Sequence, residues 1–329
     1  MLIDTFGRTA TDLRVSLTDR CNLRCTYCMP EEGLRWLAKP EVLTDDEIVR
    51  MVAIAVRELG VTEVRFTGGE PLLRPGLVGI VERCAALDPR PRLSLTTNGI
   101  GLARVAKALR SAGLDRVNLS LDTLRPEVFH TLTRRHRHHD VLAGLAAAHE
   151  AGLTPVKVNA VLLRGVNDDE APDLLDWALR HDYELRFIEQ MPLDAQHGWR
   201  RDDMVTADEI LRRLSARFAL SPEAASVRGS APAERWLVDG GPARVGVIAS
   251  VTRPFCRACA RTRLTADGQV RTCLFAREET DLRTALRSGA SDQDIAERWR
   301  VAMWGKKAGS GLDDPAFLQP PRPMSAIGG

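Results

Sequence analysis

Three of the seven cysteines in this chain fall within the stretch RCNLRCTYCMP at positions 20–30. Cys21, Cys25 and Cys28 form C-x3-C-x2-C, too tight for mutual disulfides and unlike the paired C-x2-C units of a zinc knuckle. Three thiolates fall one short of a structural zinc site. They suit a cubane iron-sulfur cluster, in which cysteine thiolates hold the irons and one iron can stay open to substrate. Cys256, Cys259 and Cys273 form a second trio, C-x2-C-x13-C, again without the further C-x2-C or nearby histidine of a zinc ribbon. Inside it lie Arg261 and Arg263, in ARTRL. Alternate side chains of an extended segment share a face, so both guanidiniums would point one way, a geometry suited to phosphate oxygens. The seventh cysteine, Cys84, sits in VERCAALD on the apolar side of an expected helix and reads as a buried inert thiol.

These groups need a scaffold, and the bulk numbers bound it. At 329 residues the chain can bury a large core, with one big unit and a smaller one as the natural division. Hydrophobic residues make up 44% and charged residues 27%, an ordinary globular profile. A net charge of +2 gives no general electrostatic case for nucleic acid or membrane binding, so any anion site must be local. No apolar run approaches the roughly 20 residues that span a bilayer, and MLIDTFGRTA does not read as a secretion signal. A cytoplasmic location is therefore expected. Cysteine clusters in that reducing compartment are metal ligands or catalytic groups.

The first two thirds of the chain alternate β-branched runs with helical patterns, which predicts parallel strands joined by helices. Strands are expected at 13–17, 62–67, 92–97, 116–121, 155–163 and 184–190. Gly60, Gly113 and Gly152 close helices just before strands, where a left-handed residue is wanted. Thr44 and Glu47 form a capping box ahead of an amphipathic helix. Six such units could form a doubly wound open sheet or an incompletely closed barrel, and in both the ligands gather at the carboxyl ends of the strands. Cys21, TGGEP, TTNG and SLD each follow or end a successive strand, so four strand ends point to one site. A boundary is expected near residue 215, giving units 1–215 and 216–329. The second is cysteine-dependent and should dock on the first.

The C-x3-C-x2-C loop, with Tyr27 before its last cysteine, resembles the radical S-adenosylmethionine (SAM) superfamily, and Gly68, Gly69, Glu70 and Pro71 match the stretch by which that superfamily holds SAM. With both trios, the RxR pair, VKVNAVLLRGVND, LRFIEQMPL and the terminal Gly328-Gly329, the whole chain resembles the GTP 3′,8-cyclase family. The resemblance implies an incomplete (β/α)6 TIM-like barrel whose open side is covered by the C-terminal region. It also implies two 4Fe-4S clusters with SAM as cofactor, and a 5′-deoxyadenosyl radical that takes the ribose 3′ hydrogen of GTP so that the sugar radical adds to guanine carbon 8. By the same resemblance Tyr27, Gly68, Gly69, Glu70, Ser120 and Met191 contact SAM. Arg14, Arg65, Thr96, Lys157, Arg186, Arg261 and Arg263 contact GTP, with Arg14, Arg261 and Arg263 closest to the chemistry. The implied partners are a reductant protein or flavodoxin-like electron donor and a downstream cyclic pyranopterin monophosphate synthase, for a monomer or homodimer. The Gly-Gly tail would reach into the active site.

His136, His138 and His139, in RRHRHHD, read as a solvated or phosphate-facing loop, since the neighbouring arginines would repel a metal ion. Two other readings compete. A peptide-maturing radical SAM enzyme would carry more auxiliary cysteines than this chain offers. A zinc-ribbon module for nucleic acid lacks its fourth ligand and a broad basic surface.

Overall fold

A computed structural model describes residues 1–314 and 316–328; Gly329, half of the terminal pair, lies outside the described residues. All six expected strands are present, with ends within two residues of expectation: β1 (Asp12–Ser16), β2 (Glu63–Thr67), β3 (Arg92–Thr97), β4 (Arg116–Ser120), β5 (Lys157–Val161) and β6 (Glu184–Ile188). Between them run α1 (Asp45–Arg57), α2 (Leu77–Ala85), α3 (Ala106–Ser111), α4 (Pro126–Thr133), α5 (His138–Glu150) and α6 (Ala171–Arg180). Thr44 caps α1, its hydroxyl accepting from Glu47 N at 3.2 Å while Glu47 Oε2 accepts from Thr44 N at 2.7 Å. Gly60, Gly113 and Gly152 take φ of +77°, +100° and +72°, left-handed values that let the chain turn from helix into strand. Cys84 is fully buried on α2.

Helix α7 spans Ala207–Ser215, and the same sheet continues with strands that follow it. Residues 216–329 supply β7 (Leu220–Pro222), β8 (Glu234–Val238), β9 (Arg244–Ile248), β10 (Arg261–Leu264), β11 (Gln269–Arg271) and β12 (Thr280–Asp281), with α8 (Ala225–Arg228), α9 (Arg283–Arg287), α10 (Asp292–Trp304) and α11 (Met324–Ile327). The order across the sheet is β12-β11-β10-β1-β2-β3-β4-β5-β6-β9-β8-β7. Strand β10 pairs with β1, and β9 with β6, in parallel. Eight consecutive strands thus run one way, and antiparallel strands finish both edges. This is a partial barrel that the C-terminal part extends at each side.

Each parallel strand alternates sharply. Leu13, Val15, Val64, Phe66, Leu93, Leu95, Val117 and Leu119 are fully buried in the core that the helices share. Burying a side chain of this size contributes about 1.5–3 kcal/mol, which sets the register, because a one-residue slip would turn the apolar set to the opposite face. That opposite face is polar. Arg263, Arg14, Arg65 and Ser94 lie side by side across β10, β1, β2 and β3, and Asn159 and Arg186 across β5 and β6. Among the described residues no helix is long and apolar enough to cross a membrane.

Candidate active site

The first cysteine loop follows β1. Cys28 N and Met29 N both donate to the Cys25 carbonyl, at 2.9 and 3.0 Å, folding the loop so that its thiols turn together. Arg24 braces it from inside, its Nη1 2.8 Å from the carbonyls of both Cys21 and Leu23 and its guanidinium 5.5 Å from the Trp36 ring centroid. The end of α4 holds it from outside: Arg24 N bonds Thr133 O at 3.0 Å, and Arg134 Nη1 bonds Arg24 O at 2.8 Å. Burial pushes the Cys21 thiol up to about 11 and Cys28 to about 12, and Cys25 rises too. Beyond burial, the charges that raise Cys25 are those of Cys28, Asp122 and Cys21, its neighbours in the loop and at the end of β4. Such thiols ionise on meeting a metal, since it is the thiolate that ligates. Among the described residues no three Cys, His, Asp or Glu are grouped to hold one metal ion. Three cysteines on one loop without a fourth ligand suit a cubane, where each thiolate would bind a different iron.

Neighbouring strand ends are pinned to this loop. A Cβ on Gly69 would lie 2.3 Å from Arg20 O, and one on Gly68 2.4 Å from Thr18 O. Both glycines therefore let the β2 turn lie directly against the start of the cysteine loop. Glu70 is buried beneath them and uses its carboxylate within the protein, accepting from Leu72 N at 2.9 Å, Thr97 Oγ1 at 2.6 Å and Asn98 N at 2.7 Å. Burial raises it to about 7 despite these donors. Asn98 in turn donates to Asn22 Oδ1 at 2.7 Å, closing a path from β3 back to the cysteine loop. Tyr27 donates to Asp122 Oδ2 at 2.6 Å, while Asp122 Oδ1 accepts from Val161 N at 2.9 Å, which ties the loop to the ends of β4 and β5.

Further down the polar face stand Arg14, Arg65, Arg186, Arg261 and Arg263, all buried. Burial and then mutual repulsion lower the proton affinity of Arg65, Arg186, Arg261 and Arg263. Guanidiniums remain charged all the same, so the chamber is short of negative charge. Asp12 is the local carboxylate; burial would raise it, but Arg14, Arg65 and Arg261 hold it at about 2. The Nε atoms of Arg65, Arg186 and Arg261 are buried with no hydrogen-bond partner. Lys157 lies near the start of β5, 2.5 Å from Glu184, and Thr96 accepts from Asn118 Nδ2 at 3.5 Å. Asp12 pairs with Arg14 at 3.2 Å and lies 3.7 Å from Arg261, so the buried cations outnumber their counter-ions, an arrangement that is costly unless an anion completes it.

The second trio lies beside the same face. Cys256 and Cys259 bracket a single helical turn that leads into β10, and Cys273 follows β11. Burial raises the Cys256 thiol, with Cys273 the next contributor. Burial would also raise Cys259, yet Lys306 and Arg261 outweigh it and pull that thiol down. Arg261 packs its guanidinium 4.8 Å from the Phe255 ring centroid. Three thiols flanked by cations fit a second cluster of net negative charge.

The C-terminal tail joins the two trios. The Ser325 backbone lies near enough to the Cys28 thiol to lower its proton affinity, and the Gly328 carbonyl accepts from Arg263 Nη1. One turn of α11 separates these residues, a rise of only about 5 Å, so the first trio and the strand inside the second face a common space. A Cβ on Gly328, whose φ is +86°, would lie 2.8 Å from Thr67 Cγ2 and 3.2 Å from Ser16 Cβ. The tail has threaded between the ends of β1 and β2.

Most residues singled out from sequence converge here. Ser120 ends β4 beside Asn159, and Met191, just past the end of β6, packs with Met204, Val251 and Leu312. In the histidine loop His136 and His139 are exposed, as a solvated loop would have them, and the correction falls on His138. His138 opens α5, buried, 3.1 Å from Thr123 O and edge-on to Phe129, and His136 stacks on His130 at 3.8 Å. Apolar residues one turn apart within α5 pull it into the helix. Asn98 and Asp122 lie in the TTNG and SLD strand ends that the sequence pointed to, whereas Asn22 and Lys306 went unnoticed, since single polar residues carry no spacing signal.

Comparison with known proteins agrees with this geometry. Residues 15–178 match the Radical SAM superfamily and residues 183–312 match Molybdenum Cofactor Synthesis C. A GTP 3′,8-cyclase of Streptomyces coelicolor is 79% identical over 329 residues, covering 100% of this chain and 96% of that protein. One from Mycolicibacterium smegmatis is 60% identical over 332 residues, covering 100% and 92%. Among solved structures, Streptococcus suis SuiB bound to S-adenosylmethionine superposes with a TM-score of 0.62 at 15% identity, covering 94% of this chain and 67% of that one, a likeness of fold. The chain belongs to the GTP 3′,8-cyclase family of radical SAM enzymes.

Proposed function

We propose that this protein converts GTP to (8S)-3′,8-cyclo-7,8-dihydroguanosine 5′-triphosphate, the first step of molybdenum cofactor biosynthesis. In this reading Cys21, Cys25 and Cys28 hold one 4Fe-4S cluster and Cys256, Cys259 and Cys273 another. Residues 1–215 carry the SAM half of the site and residues 216–329 the second cluster and much of the GTP half. When bound, the first cluster supplies the electron that splits SAM into methionine and a 5′-deoxyadenosyl radical, which takes the ribose 3′ hydrogen.

The chain's own part is placement. Gly68, Gly69 and Tyr27 shape the rim where SAM would lie, with Ser120 and Met191 as further contacts. Arg14, Arg65, Arg186, Arg261 and Arg263 would hold the triphosphate, with Thr96 and Lys157 beside them. A clamped triphosphate fixes the ribose against the base, so ring closure becomes nearly intramolecular. The single observation that carries the reading is this set of five buried guanidiniums between two cysteine trios, because a polyanion is what such a chamber lacks. Electrons would come from a flavodoxin-like donor, and the product would pass to cyclic pyranopterin monophosphate synthase.

The test is anaerobic incubation of reconstituted protein with SAM, reductant and GTP deuterated at the 3′ carbon. Deuterium should appear in 5′-deoxyadenosine, and its release should depend on GTP. Release at the same rate with no nucleotide, or without deuterium, would refute the substrate assignment.

A further inference from the structure

Lys306 follows the last turn of α10 and is 3% exposed. Its Nζ donates to Arg261 O at 2.8 Å, Cys259 O at 3.3 Å and Cys259 Sγ at 3.4 Å. Those three acceptors use all three ammonium protons. Two are neutral carbonyls, and among the described residues the lysine ion pair is Lys157 with Glu184, so no carboxylate neutralises Lys306. A buried ammonium without a counter-ion costs several kcal/mol. The anion in reach is the Cys259 sulfur.

We propose that Lys306 is the counter-cation of the second iron-sulfur cluster: a positioning residue whose N–H···S bond holds Cys259 and whose charge raises the cluster's reduction potential. The inference rests on the reading that the second trio holds a cluster. Hydrogen bonds to ligand sulfurs and nearby charge both set such potentials. Adding one electron makes the cluster more negative, so a fixed cation stabilises the reduced form. The same ammonium bridges Cys259 to Arg261, so the ligand and the guanidinium-bearing strand keep one relative position.

The experiment uses the full chain carrying C21S, C25S and C28S, so that only the second site can take up iron. After anaerobic reconstitution, iron is counted and the cluster is titrated with reductant under electron paramagnetic resonance. The parent should bind about four irons. In K306M and K306Q the ratio of reduced to oxidised cluster at a fixed potential should fall at least tenfold, a shift of about 59 mV for one electron. K306R should stay within threefold of the parent. Loss of iron from both neutral variants with retention in K306R would equally support a counter-cation. Unchanged ratios in K306M and K306Q with iron retained, or loss of iron from all three variants, would overturn the inference. A parent that binds no iron would defeat the second-cluster reading itself, a distinguishable result.

Discussion

Arg263 stands where three requirements meet: it neighbours Arg14 across the sheet, lies among the second-trio charges, and donates to Gly328 O. Arg263→Ala should weaken GTP turnover roughly ten- to hundredfold, since a hydrogen bond to a charged group is worth about 1.5–3 kcal/mol. Iron content should not change, because no cysteine is anchored by that side chain. Steady-state kinetics beside iron analysis checks both halves. Glu70 supports a pH prediction. Burial raises its carboxyl from 4.5 to about 7, so its contribution to stability is fully present below 4.5 and is lost as pH rises toward 7. Measured by urea midpoints against Glu70→Gln, the native protein should lose ground across that window and level off above it. A difference independent of pH would show that Glu70 does not titrate there. The cysteine trios and the RxR pair were legible because chemistry forced several residues into tight spacing. Glu70 and Lys306 act through contacts far apart in sequence, which spacing cannot reveal.

At the element scale, the β2 turn and the cysteine loop behave as one piece. A methyl on Gly69 would meet two backbone carbonyls, Arg20 O at 2.3 Å and Asp19 O at 2.5 Å, and backbone cannot swing aside as a side chain can. Gly69→Ala should therefore push the loop off its seat, costing about 1–3 kcal/mol and lowering first-site iron while the second site stays loaded. Normal iron at both sites would show that the two segments are independent. The six barrel strands could be read from pattern because they alternate with helical patterns, three of which close on Gly60, Gly113 and Gly152. Strands β8 and β9 could not: ERWLV and RVGVI lie in a stretch without the strand–helix alternation, and they become strands by pairing with each other and with β6. One signal was in plain sight. DLRVS, EVRFT and RVNLS alternate polar with apolar, whereas parallel strands covered on both faces run apolar throughout. Alternation in a parallel sheet means that one face lines a polar chamber.

For the whole molecule, the C-terminal region completes a chamber that the barrel alone leaves open, adding parallel strands at both edges and a tail across the top. Gly328→Val should disrupt that closure, because its Cβ would lie 2.8 Å from Thr67 and its φ of +86° disfavours a branched side chain. Turnover should fall while both clusters and overall stability persist, as read by activity, iron content and thermal melting together. Loss of iron instead would mean that the tail holds the clusters rather than the substrate. Chamber closure was invisible to pattern reading, since it depends on where a distant segment returns.

The central claim is that two cysteine trios share a cationic chamber built for a nucleoside triphosphate. An anaerobic crystal structure of the reconstituted protein with GTP tests it most directly. The account predicts triphosphate oxygens hydrogen-bonded to Arg14, Arg65, Arg186, Arg261 and Arg263, between two clusters each bound by three cysteines. A triphosphate lying elsewhere, or a zinc ion with a fourth protein ligand at either trio, would contradict it.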